Sequence, residues 1–202
     1  MNFDIVILGG GHAGVEAAFC ASQFSQLNIA LVTLPSVGLA SAPCNPSVGG
    51  IGKGQVVKEI DALGGVMGKL TDFAGIQYRT LNESKGLAVQ STRVQIDKLK
   101  YSECAEAIIA TIANISVIRA LVTNISQCKD SAFGFQIHTN IGNSINCSSL
   151  IITAGTFLGG ILHCGSDIKT GGRHENLAGP TLSSLLNLNS LRTKRFRTGT
   201  PA

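Results

Sequence analysis

Phe3-Asp4-Ile5-Val6-Ile7-Leu8-Gly9-Gly10-Gly11-His12-Ala13-Gly14 decides the fold. Phe3 to Leu8 is a short apolar run rich in β-formers, and it reads as a buried parallel strand. Gly9, Gly11 and Gly14 fit G-x-G-x-x-G. After them Val15, Ala18, Phe19 and Ser22 mark one face of a helix to about Ser25. Asn28 to Leu34 is a second buried strand. Strand, glycine turn, helix and strand within this span make a βαβ unit. In such a unit the first glycine permits the tight turn. The second lets backbone approach a pyrophosphate, and the third allows close helix–strand packing. The helix start offers free N–H groups and the positive end of the dipole to phosphate. The turn therefore reads as a dinucleotide site built from Gly9, Gly10, Gly11, His12, Ala13 and Gly14, with His12 at the loop or the phosphates.

The acid that usually contacts the ribose about 20 residues later is missing. No Asp or Glu lies between Glu16 and Glu59, and the second strand ends Val32-Thr33-Leu34. Thr33 offers only a hydroxyl there. This argues against a standard NAD dehydrogenase and leaves FAD or a modified ribose contact open.

Composition agrees with a glycine-turn protein. Of 202 residues only 14% are charged, against about 25% in typical domains, and 24 are glycine. None of those glycines falls between Leu87 and Phe133. The net charge of +4 permits an anionic partner without demanding one. The six cysteines match no zinc or haem spacing and read as reduced thiols of a cytosolic protein, with no metal. No apolar run reaches the length of a membrane span, and no leader peptide is visible.

Pro35 to Gly54 reads as a loop, and a helix is expected from Lys53 to Leu63, stopped by Gly64-Gly65. Thr71 to Val89 reads as irregular. A long helix is expected over Thr92 to Ala113, then strands at Ile115 to Val122, Gly134 to Thr139 and Ser144 to Ile152, and a helix at Ser183 to Leu188. Gly49-Gly50-Ile51-Gly52-Lys53-Gly54 lacks both the spacing of a phosphate loop and the hydroxyl after Lys53. It reads as a close-packed turn or an anion contact through Lys53. Cys44, between Pro43 and Asn45-Pro46, sits on a stiff loop after the second strand, where α/β sheets bind ligands. It reads either as a nucleophile or as a small buried hydrophobe. Arg79, Asn82, Lys85, Arg93 and Asp97 read as a solvated polar surface.

Together these segments resemble the N-terminal part of the MnmG family, also called GidA. The resemblance rests on Gly9 to Gly14 with Glu16-Ala17-Ala18, and on the run Cys44 to Gly54. It continues in Val57 to Gly65, Ala74 to Arg79, Leu81-Asn82, Ser84-Lys85-Gly86, and Arg93, Gln95, Asp97 and Tyr101. Later matches are Thr153 to Leu158, Gly171-Gly172-Arg173 and Thr198-Gly199-Thr200-Pro201. It implies an α/β, Rossmann-like FAD-binding domain of the glutathione-reductase type: a parallel sheet with helices on both faces and a small β-meander, incomplete at the C-terminus. Residues from about 160 to 202 would begin an inserted substrate or NAD-side region. The helical tRNA-binding domain would lie outside this sequence.

The resemblance further implies a flavin-dependent enzyme that modifies the wobble uridine of tRNA at C5, with a carboxymethylaminomethyl product. NADH and methylene-tetrahydrofolate would be co-substrates, and the GTPase MnmE and a second copy of the chain would be partners. Gly9 to Gly14 would hold the FAD pyrophosphate, Val122 would contact the adenine side by its backbone, and Thr153, Gly155 and Thr156 would form a second flavin loop. Cys44 would be catalytic. Leu87, Pro43, His174 to Pro180 and Gly179 depart from the family pattern, and the chain ends inside a T-G-T-P-P-R motif. It is accordingly expected to be a fragment or truncated copy, a poor catalyst alone. The alternatives are a non-catalytic flavoprotein module and a folate-dependent tRNA uridine methyltransferase. A flavin disulfide reductase is disfavoured because no C-x-x-x-x-C occurs.

Overall fold

The structure is a computed structural model that describes residues 1–42, 45–128, 132–142, 144–155 and 159–171. It opens with β1 (Asn2–Leu8), α1 (His12–Ser22) and β2 (Ile29–Thr33), the βαβ unit expected. β1 and β2 are parallel, with Ile5 opposite Ile29 and Leu8 opposite Val32. α1 stops at Ser22 rather than Ser25. The side chain of Asn114 donates to the carbonyls of Ser22, Phe24 and Leu27, which ties down the turn after the helix.

The middle of the chain departs most from expectation. β3 (Ser47–Gly49), α2 (Lys53–Ala62), α3 (Met67–Ala74), β4 (Gly75–Leu81) and β5 (Ser91–Ile96) precede α4 (Lys98–Ala110). The stretch 71–89, expected irregular, thus ends α3 and forms β4. The helix expected from Thr92 begins only at Lys98. Val94 and Ile96 alternate with Arg93 and Gln95, a period-two pattern that buries Val94 and Ile96 as a strand does. Asp97 ends the strand and caps the helix, accepting from the N–H groups of Leu99 and Lys100. β3, β5 and β4 form an antiparallel sheet in that order.

β6 (Ile115–Arg119) lies parallel to β2, and β9 (Ser144–Ile152) lies parallel to β1 on the other side. β7 (Val122–Gln127) and β8 (Phe135–Thr139) run antiparallel onto β9, so the main sheet has the order β6-β2-β1-β9-β8-β7. The strand expected over Ile115 to Val122 is therefore two strands at opposite edges of one sheet. Only Ala120 and Leu121 join them, and two linking residues reach roughly 10 Å at most. The β7–β8–β9 meander must therefore curl back over the sheet. A small hairpin, β10 (Ile161–Cys164) with β11 (Asp167–Thr170), follows. The helix expected at 183–188 lies outside the described residues.

Two apolar layers result. Ile7, Ile29 and Leu31 pack with Val15 and Ala18 of α1, Leu70 and Ala74 of α3, and Tyr101, Ala105 and Ile109 of α4. Val6, Leu8, Ala30 and Val32 point the other way and pack with Ile125, Ile137, Ile145 and Cys147 of the meander. Among the described residues, helices line the first of these layers and the meander covers the second. Cys147 is fully buried, and burial pushes its thiol up to about 11, so it packs as a small hydrophobe. No described cysteines are paired, no group of metal-binding side chains occurs among the described residues, and no described helix is long and apolar enough to cross a membrane.

Leu31→Ala removes a wholly buried side chain of β2 from the helix-covered core and should cost about 2–5 kcal/mol. Asp97→Ala removes only a cap and should cost about 1 kcal/mol. Urea unfolding of both variants checks the ranking, and a cap variant as damaging as the core variant would contradict it.

Candidate dinucleotide site

Everything at the glycine turn converges on the carboxyl ends of the parallel strands. The N–H of Gly9 donates to the carbonyl of Val32, and the N–H of Thr153 donates to that of Leu8. The Thr153 hydroxyl lies 3.0 Å from both the Leu8 and Gly9 carbonyls. Ala120 donates to the carbonyl of Thr33. From β1 the chain moves one way to β2 and β6, then returns to β9 on the other side. The turn thus sits where strand order reverses, which is where open α/β sheets bind ligands.

The glycines have separate duties. A Cβ on Gly14 would lie 1.8 Å from the Gly9 carbonyl oxygen, so helix and turn touch with no room for a side chain. Gly9 has φ +112° and presses on the Thr153 carbonyl, and a Cβ on Gly10 would strike Thr33 and Leu39. Gly11 differs: its φ is −72° and a Cβ there would meet nothing within 4 Å. Steric packing demands glycine at 9, 10 and 14, whereas Gly11 borders open space. Gly11 also caps α1, with no side chain taking the first N–H groups and no acid in the first turn. Those donors face outward with the positive end of the dipole behind them.

His12 lies in this first turn, its ring 5.6 Å from that of Tyr101 in an edge arrangement. Its Nδ1 is buried and has no hydrogen-bond partner among the described residues. Burial holds the imidazole below its usual value. Tyr101 is 1% exposed, and burial pushes its phenol up to about 12 despite a hydrogen bond to Thr71. An uncapped helix start, a side-chain-free approach at Gly11 and an orphaned ring nitrogen beside it fit the pyrophosphate of a dinucleotide.

The other expected residues are placed as follows. Ala13 is exposed on the first turn. Thr33 is 4% exposed, beneath Gly10, which sets it under the turn rather than on its rim. Val122 is buried at the start of β7, two residues past the Ala120 contact to Thr33. Thr153 joins the turn directly, and Gly155 is exposed at φ +59°. Cys44 and Thr156 lie outside the described residues. The run Gly49 to Gly54 is a close-packed turn: Cβ atoms on Gly49 and Gly54 would strike the Thr92 carbonyl, and the Gly50 N–H donates to that same carbonyl.

Three supports escaped sequence reading. Glu16 on α1 accepts from the N–H groups of Val66 (2.8 Å) and Met67 (3.0 Å), capping α3 from a neighbouring helix. The available signal was the absence of a capping side chain in Gly64-Gly65-Val66 before α3. On α4, Ser102 donates to the Leu39 carbonyl and Glu106 accepts from the Leu39 N–H. Arg119 pairs with Glu106 at 2.6 Å and donates to the Val37 carbonyl. These contacts hold the loop after β2 without the missing ribose acid.

Comparison with known proteins decides the relationship. The family described as Glucose inhibited division protein A matches residues 4–202. The chain belongs to this family. It is 42% identical over 200 residues to the Campylobacter hominis "tRNA uridine 5-carboxymethylaminomethyl modification enzyme MnmG", covering 99% of this chain and 31% of that protein. It matches the structure of Aquifex aeolicus GidA with a TM-score of 0.90 and 39% identity, over 100% of this chain and 33% of that one. A probable FAD-dependent monooxygenase of Pseudomonas aeruginosa shares the fold alone, with a TM-score of 0.52 at 13% identity over 74% of this chain and 42% of that one. The chain thus spans about a third of the length of the GidA relatives it matches.

Gly14→Ala forces backbone apart and should destabilise by about 3 kcal/mol, while Gly11→Ala should stay within about 0.5 kcal/mol of wild type. His12 is neutral when folded below the pH at which it protonates in the unfolded chain. Stability should therefore fall as pH drops below about 6.5, and His12→Gln should flatten that fall. Unfolding curves at neutral and mildly acidic pH check both statements.

Proposed function

We propose that this chain is the FAD-binding part of an enzyme that adds a carboxymethylaminomethyl group to C5 of the wobble uridine of certain tRNAs. The observation that carries the reading is the uncapped start of α1 beside the open Gly11, at the reversal of strand order between β1 and β9. The relatives' names supply the substrate class.

The N–H groups of the first turn of α1 would hold the FAD pyrophosphate, with Gly11 admitting it and His12 Nδ1 offering one further polar contact. Thr153 and Gly155 would border the flavin side, and Val122 the adenine side. The packing of Gly9 and Gly14 on one another and on Thr153 keeps these donors aimed in one direction. When bound, FAD supplies two-electron transfer. In the full-length protein NADH would be the reductant and methylene-tetrahydrofolate the one-carbon source, with MnmE and a second copy as partners in the cytoplasm. Cys44 would act as nucleophile beside the base, because a thiolate is the strongest neutral-pH nucleophile in the segment.

Purified chain reconstituted with FAD should be yellow and show flavin absorbance. Gly11→Ala should keep the fold and raise the FAD dissociation constant at least tenfold. A wild-type chain that retains no flavin would sink the reading. In a chain extended to the relatives' full length, Cys44→Ser should abolish tRNA modification while keeping FAD, and undiminished activity would make Cys44 structural.

A further inference from the structure

The β3–β5–β4 sheet carries an arrangement that folding does not explain. Val48, Val94 and Ile96 turn one face of it into the core. The other face shows Gln77, Arg79 and Leu81 of β4 beside Gln95 and Arg93 of β5, and these five residues line an open groove. Arg79 lies directly opposite Arg93, and Gln77 directly opposite Gln95. Opposed residues of an antiparallel pair have Cβ atoms about 5 Å apart, and like charges placed so repel. Neither guanidinium has an ion-pair or hydrogen-bond partner among the described residues. On the β3 side Arg93 faces Gly49, so no side chain covers it there. The groove's lining contains two cations, two amides and no carboxylate.

A surface that only had to be soluble would alternate charges across the pair. Two unshielded guanidiniums side by side instead suit a phosphate, which accepts from both at once. The opposed amides add donors and acceptors for base edges or ribose hydroxyls. The lining residues run along two paired strands from Gln77 to Leu81, about 13 Å, which fits an extended strand rather than a single small anion.

We propose that this outer face binds the phosphodiester backbone of an RNA strand, with Arg79 and Arg93 clamping a phosphate and Gln77 and Gln95 contacting the adjoining nucleotide. The proposal rests on the RNA-directed reading above and assigns a surface to it. Flavin retention, measured on the same samples, separates failure of the surface from failure of the flavin reading.

The test is fluorescence anisotropy of a labelled RNA hairpin with a uridine-containing loop, titrated with the chain over a range of salt. Arg79→Gln with Arg93→Gln should raise Kd at least tenfold and lower the salt slope by about 1 to 2, the release expected for one or two lost phosphate contacts. Arg79→Lys with Arg93→Lys should keep most of the slope and give an intermediate Kd, because charge survives while the planar fork is lost. The glutamine pair should melt no lower than wild type, since it relieves repulsion, and flavin content should not change. A glutamine pair that binds RNA with wild-type Kd and slope would overturn the proposal. So would a wild-type chain that does not bind the hairpin, or one from which polyglutamate or inorganic phosphate displaces RNA as well as unlabelled RNA does.

Discussion

The contact between the end of β1 and the end of β9 organises this molecule. Thr153 closes on Leu8 and Gly9 through its N–H and its hydroxyl, while Gly9 reaches across to Val32. Three strands are thereby locked in register at one end, and the first turn of α1 is pressed into the junction through Gly14. None of these approaches tolerates a side chain on Gly9 or Gly14. The glycines serve packing first, and that packing leaves the helix start pointing at open space beside Gly11. A phosphate-accepting geometry follows from close backbone contact.

The rest of the chain supports that junction from two sides. Helices α1, α3 and α4 bury one face of β1 and β2, and the meander curls over the other because only two residues connect β6 to β7. Glu16 links two helices of one layer in an unexpected way. It lies one turn from the glycines yet caps α3, so the start of a distant helix depends on the same short helix that follows the glycine turn. The loop after β2 is held by Ser102, Glu106 and Arg119 instead of by a ligand-binding acid.

Much of this was legible in the residues. The run Phe3 to Gly14 specified strand, turn and helix because apolar run, glycine spacing and helical period agree there. Sequence reading failed where local pattern and tertiary pairing conflict. Over Thr92 to Ala113 the absence of glycine suggested one long helix, but Val94 and Ile96 alternate with polar residues, and pairing with β3 and β4 made that part a strand. β4 was missed although Ile76-Gln77-Tyr78-Arg79 alternates, because that run is short and both faces of the strand are exposed. Thr33 was read as a ribose contact from its position alone, and only the packing of Gly10 shows it lying beneath the turn.

The sequence by itself determined the βαβ opening, the glycine turn between its strand and helix, and the family, because those rest on contacts between residues close in the chain and on motif spacing. The tertiary structure decided which glycine borders open space, which acid caps which helix, and that Arg79 and Arg93 meet. Each of those depends on distant segments brought side by side. Twelve residues of sequence separate β4's Leu81 from the middle of β5, and no local pattern states that two arginines across such a gap will stand opposite one another.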